Sequence, residues 1–123
     1  MGSTEDIVHY QVRDGQRVMV FDGRRIARVS SHTKGKQRWI ELALYVTEAG
    51  TYVLHGCGRT IIPGEVDRSW VQLADDPEGI IDRLYLLNDT GAKYIPNTSR
   101  RLLEVASLHD ARVRSAYTVQ HVT

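Results

Sequence analysis

The apolar residues of this chain change their period once, at Pro63-Gly64, and that change limits what it can fold into. Before it, apolar and polar residues alternate in short runs bounded by Asp and Gly, the pattern of half-buried strands. After it, they recur at helical spacing. Strands gathered first and helices afterwards predict an α+β domain rather than an alternating α/β one.

The runs "IVHYQVR" (Ile7–Arg13) and "QRVMVF" (Gln16–Phe21) flank Asp14-Gly15, and "RRIARVSS" (Arg24–Ser31) follows Asp22-Gly23. Asp-Gly between alternating runs is a strong hairpin signal, because a type I′ turn needs positive φ at both central positions. "QRWIELALYVT" (Gln37–Thr47) and "TYVLHGC" (Thr51–Cys57) predict another hairpin across Glu48-Ala49-Gly50. Beyond Pro63-Gly64 comes a short apolar stretch, "WVQLA", then "DDPEGIIDRLYLLND". There Asp75 or Asp76 serves as N-cap, Pro77 lies in the first turn, and Ile80, Ile81, Leu84 and Leu87 fall at helical spacing. "TSRRLLEVASLHDARVRSAY" predicts one helix, or two joined near Asp110, and "TVQHVT" a last short strand or a frayed tail. The expectation is a single α+β domain over residues 1–123, with strands within 7–57 and helices at about 76–117. The strands form an antiparallel meander of about five, and two or three helices pack on one face.

In the second hairpin a three-residue loop sets Val46 opposite Tyr52 and Leu44 opposite Leu54. Ile40, Leu42, Leu44, Val46, Tyr52 and Leu54 then share a core face. The other face carries Trp39, Glu41, Ala43, Tyr45, Val53, His55, Cys57 and Arg59, with Glu41 facing Cys57 and Trp39 facing Arg59. In the first hairpins Val8, Tyr10, Val12, Met19, Phe21 and Ile26 form a second core patch, leaving Ile7, His9, Val18, Val20, Ala27 and Val29 on the reverse. Apolar residues on both faces call for a strongly curled sheet, a second covering layer, or a partner chain, and so predict homodimerisation as one outcome.

Sixteen basic against fifteen acidic residues leave a formal charge of +1, which argues against a dedicated non-specific nucleic-acid binder. One cysteine excludes an internal disulfide and every multi-cysteine zinc or iron–sulfur pattern. The opening "MGSTEDIVHYQ" has no basic start followed by an apolar run, and no window is long and apolar enough to span a membrane, so the expected location is cytoplasmic.

Three candidate sites follow. The first is partner binding through the non-core sheet face by Trp39, Tyr45, His55 and Arg59, an aromatic and arginine set favoured at interfaces. The second is nucleic-acid binding by the basic stretch Arg24, Arg25, Arg28, Lys34, Lys36 and Arg38, set against the plainer reading of a charged hairpin edge that resists aggregation. The third is a reactive thiol at Cys57, with His55 as base and Glu41 orienting it, set against the commoner role of a lone cysteine as a small buried hydrophobe. H-x-C matches no dense metal-ligand motif even with His9 added, and no cofactor fingerprint is present. Gly56, on the core face, predicts a bulge or close backbone packing. Arg100-Arg101 stands at the wrong end of a helix for a basic pair, a small cost that an acidic partner would offset.

The run "GRRIAR … WIELALYVTEAGTYVLHGCGR", with "DDPEGIIDRL" after it, resembles small proteins of actinobacteria and their phages that carry a Y-x-T-x-x-G-x-Y hairpin, here Tyr45, Thr47, Gly50 and Tyr52. The resemblance covers about half of the chain and brings no activity or functional residue with it. It implies a small regulatory or host-interaction protein. The functional expectation is a non-enzymatic interaction protein that binds a protein partner, itself included, through its sheet face. Nucleic-acid binding through residues 24–38 and a cysteine- or metal-dependent enzyme at Cys57 are the alternatives.

Overall fold

The computed structural model describes residues 7–122. Five antiparallel strands form one sheet in the order β1 (Val8–Asp14), β2 (Arg17–Ser30), β3 (Arg38–Thr47), β4 (Tyr52–Thr60) and β5 (Arg68–Ala74). Helix α1 (Pro77–Leu84) follows, then a two-stranded ribbon of β6 (Leu86–Leu87) and β7 (Lys93–Tyr94), then α2 (Asn97–His109) and α3 (Ala111–Val122). The α+β meander with helices on one face is therefore present. Strands continue to Ala74 because "WVQLA" is the fifth strand, and "TVQH" belongs to α3 rather than to a strand.

The two Asp-Gly pairs play different parts. Asp14 pairs with Arg17 across a two-residue turn in which Gly15 has φ +65°. Among the described residues no non-glycine has positive φ, so Gln16 does not, and the turn fits type II′ rather than I′. Asp22-Gly23 is not a turn. Strand β2 runs straight through it, with Gly23 paired to Val8 on one side and Thr47 on the other. A Cβ at Gly23 would stand 2.2 Å from the Val46 carbonyl oxygen, so glycine is needed there for the close approach of β3.

A bulge in β2 corrects the expected facing of this strand. Arg25 pairs with Tyr45 and Ala27 with Leu44, leaving Ile26 as the extra residue. One inserted residue reverses every later side chain. Ile26, Ala27 and Val29 consequently join the helix-side core, whereas Val12, Met19 and Phe21 face the other way.

The helix-side core sets Leu42, Leu44, Tyr52 and Leu54 against Ile80 and Ile81 of α1, Leu102, Leu103 and Ala106 of α2, and Val113 of α3. The β3–β4 register has Glu41 opposite Cys57, Leu44 opposite Leu54 and Val46 opposite Tyr52, as alternation requires. α2 and α3 are separate helices. Asp110 between them accepts the N–H groups of Arg112 (2.8 Å) and Val113 (3.0 Å), takes the Tyr52 hydroxyl at 3.1 Å, and lies 3.6 Å from Arg24.

The second apolar face is closed by curling of the sheet. The turn after β1 reaches β5, where Gly15 N–H donates to Ser69 O at 2.8 Å and Val71 N–H to Asp14 Oδ1 at 3.3 Å. Val12, Ala43, Tyr45 and Val53 are buried inside the curl with Tyr10, Met19, Phe21 and Val71 around them. The rings of Tyr10, Phe21 and Tyr45 form a three-way cluster with centroids 4.7–5.6 Å apart.

Candidate functional site

Where β3 begins and β4 ends, the sheet carries Trp39, Glu41, Cys57 and Arg59 on one face. On the curled face, Glu41 gathers three partners. The Trp39 indole N–H donates to it at 3.2 Å, and the Arg28 and Arg59 guanidinium groups lie 3.6 and 3.8 Å away. Arg59 also reaches Asp67 at 3.5 Å. Cys57, Glu41 and Asp67 together hold the Arg59 guanidinium more firmly protonated. Trp39 meets the His32 ring edge-on at 4.2 Å.

Cys57 and His55 share this face, but the sulfur accepts from the Ser69 hydroxyl at 3.5 Å and the thiol donates to Gly58 O at 4.0 Å, and the residue is buried. His55 Nε2 is buried without a partner, and burial pushes the imidazole's pKa down against the opposing pull of the Arg13 backbone and Glu41. The three residues are thus neighbours in register, while the base-to-thiol hydrogen bond that nucleophilic catalysis relies on is not formed. Among the described residues no group of three or more His, Cys, Asp or Glu is placed to hold a metal ion. Tyr45 and His55, expected in a partner surface, lie inside the curl, whereas Trp39 and Arg59 remain half accessible at its end.

The basic stretch is dispersed. Arg24 extends to the helix layer, donating to His109 O at 3.2 Å. Arg25 and Arg28 take the opposite, curled face by their pairing with Tyr45 and Ala43. Lys36 donates to Ser31 O at 3.2 Å, Arg38 pairs with Glu65, and Lys34 lies exposed in the loop before β3.

A different site emerges on the helix side. The helices cover only part of the sheet, and beyond α1 and the start of α2 a cleft of about 960 Å³ opens. Its floor is Ile40, Leu42, Leu54, Gly58 and Trp70, and Leu84, Leu86, Pro96 and Ser99 form the opposite wall. Ile40, expected in the core, is 41% exposed here because no helix lies over it. The Trp70 indole lies across Gly56, where a Cβ would meet its ring at 2.2 Å. Gly56 thus makes room for a side chain rather than for backbone. Trp39 and Arg59, on the other face by alternation, border the cleft at the open end of the sheet.

Five basic side chains line the cleft against the single carboxylate of Glu65. That carboxylate is already engaged. It pairs with Arg38, accepts the Thr60 hydroxyl at 2.7 Å, and is drawn down to a pKa of about 2 by those two partners. Arg68 and Arg83 have no carboxylate partner among the described residues. Trp70, Arg68, Arg83 and Ser99 were not reached from sequence. The signals available were the alternation of "RSWVQLA" as a strand and the uncapped, base-rich start of α2.

Comparison with protein-family models, with curated proteins and with solved structures finds no match for this chain. Among the described residues no helix is long and apolar enough to cross a membrane.

Proposed function

We propose that the chain is a small non-enzymatic interaction protein that binds by seating an apolar group of its partner in the cleft at the Trp39–Arg59 end of the sheet. The observation that carries this is the cleft itself. It has about 960 Å³ of open space against apolar floor residues, with both tryptophans in its lining. Of the apolar residues that suggested a homodimer, Ala43, Tyr45 and Val53 are buried inside the curl and Ala27 and Val29 under the helices, whereas Val18 and Val20 stay exposed on β2, away from the cleft lining. A regulatory role in the cytoplasm of an actinobacterium or its phage accords with a binding protein of this size.

The test is a titration of the ¹⁵N-labelled full chain with indole, which mimics a partner's aromatic side chain. Resonances of residues 40–42, 56–60, 68–72 and 83–86 are expected to move together. Shifts confined to the exposed Val18 and Val20 on β2, or no shifts at all, would contradict the proposal.

A further inference from the structure

We infer that the partner segment seated in the cleft is an acidic peptide, with a large apolar side chain over Gly58 and carboxylates on either side of it; this rests on the cleft being the contact surface. The slot for that side chain follows from strand register. Gly58 pairs with Ile40 on one side and Arg68 on the other, and Gly56, two residues back on the same face, pairs with Leu42 and Trp70. Residues directly opposite on adjacent strands share a face. Ile40, Gly58 and Arg68 therefore form one row across the floor, and Leu42, Gly56 and Trp70 the next. The Trp70 ring fills the space above Gly56. The space above Gly58 is open, since a Cβ there would meet only Arg68 O at 3.9 Å. Ile40, Val66 and Leu86, all in the lining of the same cleft, are 41%, 75% and 49% exposed.

Charge selects the occupant. Of the five basic side chains in the lining, Arg38 is paired with Glu65, and Arg59 with Glu41 and Asp67. Lys36, Arg68 and Arg83 have no carboxylate partner among the described residues. Arg68 stands in the same row as the open slot, and Arg83, in the last turn of α1, lines the cleft beside Leu84. An apolar slot bordered by uncompensated cations matches a segment whose carboxylates flank its apolar anchor, and disfavours one with lysine or arginine in those places. A nucleic-acid strand also brings negative charge, but its bases stack on flat aromatic platforms. The exposed apolar groups of this lining, Ile40, Val66 and Leu86, are aliphatic, and the Trp70 ring lies against Gly56.

The ¹⁵N-labelled full chain is titrated with the end-blocked peptide Asp-Glu-Trp-Glu-Asp, with its uncharged counterpart Asn-Gln-Trp-Gln-Asn, and with Lys-Lys-Trp-Lys-Lys. The acidic peptide is expected to bind about tenfold more tightly than the uncharged one at low salt, and the lysine peptide more weakly than either. That advantage should shrink to about twofold in about 0.5 M salt, where exposed charges are screened. Arg68 and Arg83 are both exposed, so their replacement leaves the core intact. Arg68→Gln and Arg83→Gln are each expected to cut the ratio of acidic to uncharged affinity about threefold. An acidic peptide that binds no more tightly than the uncharged one, or that keeps its full advantage in the double variant, would overturn the inference. Oligothymidylate binding more tightly than the acidic peptide, with the same resonances moving, would also overturn it and assign the cleft to nucleic acid. If indole still binds in any of these events, the cleft reading stands and only the acidic character of the partner is lost. No shift with indole or any peptide would remove the cleft itself.

Discussion

At the scale of single residues, Asp110 joins the two layers. One carboxylate caps α3, takes the Tyr52 hydroxyl from the sheet and faces Arg24. Burial, and then the same carboxylate, push the pKa of the Tyr52 hydroxyl up to about 12, so it remains a donor at every physiological pH. Asp110→Ala is expected to cost about 3 kcal/mol in urea melts, because it removes a cap and strands a buried hydroxyl. Tyr52→Phe is expected to cost about 1 kcal/mol, and the double variant less than the sum. His55 gives a pH dependence. Its pKa in the folded protein lies below the ordinary 6.5, so the unfolded chain binds the proton more readily. Stability is then full above pH 6.5 and declines as pH falls through the lower folded value. His55→Leu should flatten that acid-side decline in thermal melts between pH 7.5 and 5, and change stability at pH 7.5 by no more than about 1 kcal/mol. An unchanged slope would show that His55 is not the group responsible.

At the scale of elements, the β3–β4 hairpin was legible because Gly50 and a short loop leave one register that buries Leu44 and Leu54 together. The same reasoning failed on β2. Asp22-Gly23 has the chemistry of a turn, yet its glycine answers a contact with Val46 that is formed only once β3 lies alongside. The bulge at Ile26 likewise leaves no mark in residue types, since Ile26, Ala27 and Val29 suit either face. Gly23→Ala is therefore expected to cost about 3 kcal/mol by displacing backbone. Gly15→Ala, a matter of φ alone with open space around its Cβ, should cost about 1 kcal/mol. Equal losses in denaturant melts would return Asp22-Gly23 to the role of a turn.

At the scale of the whole molecule, curling of the sheet and a helix layer that stops short decide which surfaces remain open. The Glu41, Cys57 and His55 grouping was visible from alternation, because it lies on two adjacent strands. The cleft was not, because Ile40, Arg68, Arg83 and Ser99 come from four elements or their ends and meet only when the layers pack. Gly58 provides the most direct test. It lies on the cleft floor, and a Cβ there would meet only Arg68 O at 3.9 Å. Leucine at this position fills the cleft and replaces a glycine in a strand, a change that does not weaken the sheet. The decisive measurement is indole binding to Gly58→Leu alongside its melting temperature. The expected result is loss of indole binding with a Tm equal to or slightly above that of the unmodified chain. Indole binding at full affinity in Gly58→Leu, with the same resonances moving, would contradict the cleft as the binding site.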